Sequence, residues 1–93
     1  MQQLEVVVNA SVGLHARPAA NLVHTALSFT SSIFVEKGGR RVSAKSLLSV
    51  LSLGVKAGER VAVQADGADE TEALAAISKL AARNFGEPDA KGV

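Results

Sequence analysis

Leu4-Glu5-Val6-Val7-Val8-Asn9 is rich in β-branched residues and apolar at every second position from Leu4, so Leu4, Val6 and Val8 would share one face of a strand. Ser11-Val12-Gly13-Leu14-His15 breaks the pattern and reads as a loop. The period then lengthens, because Ala19, Leu22, Val23 and Ala26 follow helical spacing. Pro18 suits the first turn of that helix, where its missing N–H costs nothing. The helix should run to Leu27 or Ser28, ahead of the turn signal Thr30-Ser31-Ser32. Two short strands are predicted at Ile33-Phe34-Val35-Glu36 and Arg41-Val42-Ser43. Gly38-Gly39 between them is a two-residue hairpin signal, since primed turns need positive φ. Ser46 is placed to cap a short helix from Leu47 to Leu53 that Gly54 would stop. Lys56-Ala57-Gly58-Glu59 reads as a turn. Arg60 through Ala65 is a fourth strand with Val61, Val63 and Ala65 facing inward. Asp69 and Glu72 have capping-box spacing at the start of a last helix, whose buried stripe is Leu74, Ile77 and Ala81. Arg83 and Gly86 mark its end, and a frayed tail is expected beyond about residue 87.

The predicted order is strand, helix, strand, strand, short helix, strand, helix, in one domain spanning residues 1–93. That is an α+β chain with an antiparallel-rich sheet and helices on one face. The order also suits a ferredoxin-like split βαβ arrangement, and periodicity does not choose between topologies.

Composition narrows the function classes. There is no Cys, which excludes disulfides, zinc–thiolate sites and thiol redox chemistry. The only aromatics are three Phe, so stacking platforms for nucleic-acid bases are scarce. No apolar run approaches the roughly 18 residues of a membrane span and no secretory signal opens the chain, so a cytoplasmic protein is expected. The net charge of +1 is unevenly spread. Residues 1–65 carry seven Lys and Arg against three Asp and Glu, whereas residues 66–93 carry three against six. The basic part would suit an anionic ligand or an acidic partner surface; the plainer reading, and the one the charge pattern alone favours, is a solvated surface with acids gathered at one helix start.

Chemistry concentrates in Gly13-Leu14-His15-Ala16-Arg17-Pro18-Ala19-Ala20. A glycine-containing loop brings a histidine to a helix start, where unpaired N–H groups and the positive end of the helix dipole gather. Arg17 adds a fixed charge and several donors. This setting disfavours imidazolium and should keep His15 neutral and nucleophilic near pH 7. The same donors would stabilise an anion placed on the ring, a phosphoryl group above all. The plain alternative is a structural His and Arg at a helix start. No Ser/His/Asp or paired-carboxylate arrangement is evident, and the spacing of His15 and His24 fits no helical metal pair. No metal or cofactor is expected.

Lys45 to Gly54 holds the second signal. Val50 and Leu53, helped by Leu47, can face a core, while Leu48 and Leu51 point well away from it. A short helix apolar on two faces is either buried all round or shows one face to a partner.

These two segments resemble HPr, the histidine-containing phosphocarrier family of the bacterial phosphotransferase system. Gly13-Leu14-His15-Ala16-Arg17-Pro18-Ala19 matches its active-site motif, and Lys45 through Val55 resembles its second signature, centred on a regulatory serine. Ala65 through Leu74 is similar to the family's approach to its last helix, so the resemblance runs from about Glu5 to Phe85. It implies an open-faced β-sandwich, a four-stranded antiparallel sheet with three helices on one face (βαββαβα), rather than the ferredoxin-like order. It also implies a monomeric, stoichiometric carrier rather than a turnover enzyme. His15 would accept a phosphoryl group on its pros nitrogen from phosphorylated Enzyme I, charged by phosphoenolpyruvate, and pass it to IIA domains of sugar transporters. Arg17 would stabilise the anion, and Ala16, Leu47, Leu48 and Leu51 would lie in the docking surface. Ser46 aligns with a serine that an ATP-dependent HPr kinase/phosphorylase modifies in some members, with a transcriptional regulator as the reader. Ser49 stands where many Gram-positive members have glycine, and Leu48 and Leu51 replace methionines common there. The presence of His15 separates the chain from regulatory paralogues that lack it. Nitrogen-related and dihydroxyacetone-kinase relays share this chemistry with other partners, and a non-covalent metabolite-binding module is the reading from another class.

Overall fold

The structure, a computed structural model, describes residues 1–10 and 13–86. Ser11, Val12 and the expected tail lie outside them. Strand β1 (Gln2–Val7) leads through the His15 loop to helix α1 (Ala16–Leu27). Strands β2 (Ser32–Lys37) and β3 (Arg40–Ser43) follow, then helix α2 (Leu47–Ser52), strand β4 (Arg60–Asp66) and helix α3 (Glu70–Ala82). The sheet order is β1-β4-β2-β3 and every pairing is antiparallel. That order excludes the ferredoxin-like alternative and gives an α+β open-faced sandwich with three helices.

Period-two patterning decides which sheet face is covered. Leu4 and Val6 oppose Val63 and Val61, while Val35 and Ile33 oppose Val63 and Ala65. Apart from half-buried Leu4, these side chains are buried with Ala19, Leu22 and Ala26 of α1 and with Ala73, Leu74, Ile77 and Leu80 of α3. On the open face the Gln64 amide donates to Gln3 Oε1 at 2.9 Å and Glu36 Oε1 at 3.0 Å. Arg41 lies over the Phe34 ring, 3.8 Å from its centroid. Gly38 and Gly39 take φ of +58° and +82°, as the two-residue hairpin requires.

The start of α3 departs from the expected capping box. Asp69 stands at the cap position but makes no side-chain capping bond. Its carboxylate instead accepts from the Thr30 and Ser31 N–H groups, each at 2.9 Å, and from Ser31 Oγ at 2.5 Å. Glu70, not Glu72, folds back to accept the Gly67 N–H at 3.0 Å. Three donors converging from the α1–β2 loop outbid one local N–H, and no local pattern announces them. Past Arg83 the chain turns through Asn84, Phe85 and Gly86, all at positive φ. Phe85 is buried there, and Asn21 holds its carbonyl at 2.8 Å. A non-glycine side chain rarely adopts this conformation, so burial of the ring has to offset its cost.

Candidate functional site

His15 is the N-cap residue of α1, so the helix starts two residues before Pro18 rather than at it. Its backbone is extended (φ −83°, ψ −171°), its carbonyl accepts the Ala19 N–H at 2.9 Å, and its side chain makes no capping bond. Position alone leaves the first N–H groups of a helix without intrahelical partners. Pro18 contributes none, which assigns the outward donors of this turn to Ala16 and Arg17. No acidic residue occupies the first turn, and Ala16 and Arg17 are exposed. The positive end of α1 therefore meets no carboxylate of its own first turn.

The loop before it is tightly seated. Gly13 has φ +81°, and a Cβ there would strike the Val55 carbonyl and come within 2.7 Å of Lys56 Cα. Leu14 is buried, and its N–H donates to the Val55 carbonyl at 2.9 Å. His15 is thus held between a buried leucine and a helix cap, half-buried itself.

Helix α2 packs on α1. Ser46 caps it, accepting the Ser49 N–H at 3.4 Å. Val50 and Leu53 are buried as expected. Leu48 is 80% exposed and Leu47 38%, so Leu47 gives the core less than the spacing suggested. Leu51 departs from the expected outward direction, being half-buried and packed against the core. Packed against both α1 and β3, this six-residue helix buries part of both its apolar faces. Leu27 at the end of α1, not among the residues the sequence singles out, is 60% exposed. Its signal was a large apolar residue off the Leu22, Val23 and Ala26 stripe. His24 is also exposed. Among the described residues no group of three or more His, Cys, Asp or Glu could hold a metal ion. None of the described helices is long and apolar enough to cross a membrane.

The family described as "PTS HPr component phosphorylation site" matches residues 2–83. The chain belongs to the HPr family. It is 49% identical over 82 residues to the HPr-like protein Crh of Bacillus subtilis (strain 168), covering 88% of this chain and 93% of that protein. The crystal structure of HPr-C-His from Thermoanaerobacter tengcongensis superposes with a TM-score of 0.91 at 44% identity, covering 96% of this chain and 100% of that one. Dimers occur among similar structures. Crh, solved as a dimer with a swapped domain, has a TM-score of 0.66 at 43% identity and covers 92% of this chain and 94% of its own. HPr-family proteins are phosphocarriers rather than catalysts, and the helix start carrying His15 lies within the matched residues.

Proposed function

We propose that this chain is a phosphoryl carrier whose acceptor is His15. The observation that carries the reading is a histidine at the N-cap of α1, beside a first turn free of acidic side chains, within the matched family region. In the transfer, the pros nitrogen (Nδ1) of a neutral His15 attacks the phosphorus held by phosphorylated Enzyme I. A P–N bond forms as the bond to the donor's leaving atom breaks. The proton that His15 releases returns to that atom through solvent, so the exchange is neutral in protons and electrons. The Ala16 and Arg17 N–H groups and the Arg17 guanidinium favour the transferred dianion. Ala16, Leu47, Leu48 and Leu51 form the docking surface, with exposed Leu27 added to it. The onward acceptors are IIA domains of sugar transporters, and the transferring species is a cytoplasmic monomer.

Incubation with phosphoenolpyruvate and Enzyme I, read by intact mass, tests this. One acid-labile phosphoryl group is expected, and no mass gain refutes the carrier reading in favour of non-covalent metabolite binding. Which IIA protein then takes the group separates the sugar relay from nitrogen-related and dihydroxyacetone-kinase relays. A second, compatible reading is regulation through Ser46 by an HPr kinase/phosphorylase and a transcriptional regulator. The position of Ser46 at the cap of α2 supports it, as does the likeness to Crh, which a solution structure names the catabolite repression HPr of Bacillus subtilis.

A further inference from the structure

Helix α2 has only six residues, too few to be stable alone, and its last turn carries no basic side chain to meet the negative helix end. The cations come from another part of the chain. Lys37 and Arg40 are register partners on either side of the Gly38-Gly39 turn. The Arg40 guanidinium donates from one nitrogen to the Ser52 carbonyl at 2.9 Å and from the other to Ser52 Oγ at 3.1 Å. The Lys37 ammonium donates to the Gly54 carbonyl at 3.1 Å and pairs with Glu59 at 2.8 Å. Glu59 in turn accepts the Lys56 N–H at 2.6 Å. The next carbonyl along the chain, that of Val55, takes the Leu14 N–H beside His15. One hairpin tip therefore grips the segment that ends the docking helix and seats the acceptor loop.

We propose that Arg40 and Lys37 are positioning residues for phosphoryl transfer. They act through residues 52–55 to hold the last turn of α2, and with it Leu51, in docking geometry. This deepens the carrier reading and rests on it for its kinetic consequences. Arg40 makes the more directional contact, because its planar fork holds two oxygens of one residue in fixed geometry where an ammonium is a freely rotating point charge.

Two measurements on Arg40→Ala test the proposal. The first needs no donor: amide hydrogen exchange of the free protein should be about tenfold faster in the last turn of α2 and unchanged in α3. The second is the KM–kcat split for phosphorylation by Enzyme I, with KM rising about threefold to tenfold and kcat staying within about twofold. Arg40→Lys should fall between wild type and alanine. Ser52→Ala removes the Oγ bond and leaves the carbonyl bond, so it should have a smaller effect than Arg40→Ala and be partly non-additive with it. Lys37→Met should accelerate exchange at residues 54–56. Wild-type exchange in both Arg40→Ala and Lys37→Met would overturn the proposal. So would a raised KM in Arg40→Ala with wild-type exchange in the last turn of α2, which would mean that Arg40 touches the partner directly. If wild type accepts no phosphoryl group, the carrier reading fails, while the exchange result still reports on the clamp.

Discussion

Helices α1 and α3 begin with polar residues at the cap position and leave the same kind of backbone donors behind, yet their ends are used in opposite ways. At α3 the first turn holds Glu70 and Glu72, Glu70 folds back onto the Gly67 N–H, and Asp69 is committed to Thr30 and Ser31. These bonds hold the Asp69 carboxyl down at about 2, the Ser31 hydroxyl contributing most, and a backbone bond from Gly67 lowers Glu70. At α1 there is no acid in the first turn and the cap is a histidine that makes no capping bond. The protein supplies its own anions to one helix and none to the first turn of the other. An added anion is therefore welcome at α1 and redundant at α3. On the proposed reading, chemistry at α1 and architecture at α3 draw on the same backbone electrostatics, and the placement of carboxylates separates them.

The largest effect expected from breaking that contrast is at His15. His15→Ala should abolish phosphoenolpyruvate-dependent labelling, while His24→Ala should keep it; full labelling of His15→Ala would end the carrier reading. Next, Ala16→Glu would give α1 the acid that α3 already has. It should stabilise the helix by about 0.3–1 kcal/mol while slowing phosphorylation about tenfold or more, through like charge at the transfer site. Stopped-flow transfer rates beside a melting curve check both halves, and an unchanged rate would show that the helix end plays no part.

The converse change is Asp69→Asn, which should lower Tm by about 5 °C or more and leave His15 labelling intact. The pH dependence has a definite sign. Folded Asp69 binds its proton at about 2 against an ordinary value of 3.8, so the stability it contributes is complete above about pH 4. It is lost as pH falls through about 2, and that part of the acid transition should be missing in Asp69→Asn. The smallest structural effect should come at the third helix start. Ser46→Asp replaces one capping oxygen by another and should keep or raise Tm, while slowing association with Enzyme I more at low than at high salt. Association at the wild-type rate at both salts would leave Ser46 as a cap only.

Within the proposed docking surface, the division between Leu48 and Leu51 sharpens the picture further. Leu48→Ser should cost less than about 1 kcal/mol of stability and Leu51→Ser more, because Leu51 packs against the core. Both should weaken binding to the donor.

Much of this was legible without coordinates. Period-two and helical spacing placed all four strands and three helices, and Gly38-Gly39 and Ser46 marked a turn and a cap that the structure contains. His15 beside Arg17 and Pro18 stood out because a loop, a helix start and a nucleophile coincide within a few residues. All of these are local, and local conformational preference is what spacing and turn chemistry encode. The strand order β1-β4-β2-β3, the capture of Asp69 by Ser31 and the grip of Arg40 on Ser52 are of another kind. Each joins residues far apart in the chain, and the sequence shows a donor or an acceptor without naming its partner. Leu51 illustrates the same divide, since helical spacing gave its angle about the axis and only packing decided how much of it the core covers. The chain by itself determined which elements form and where an acceptor could stand. Tertiary structure alone decided which polar groups were already spent, because a hydrogen bond is assigned by the folded geometry that brings its partners together.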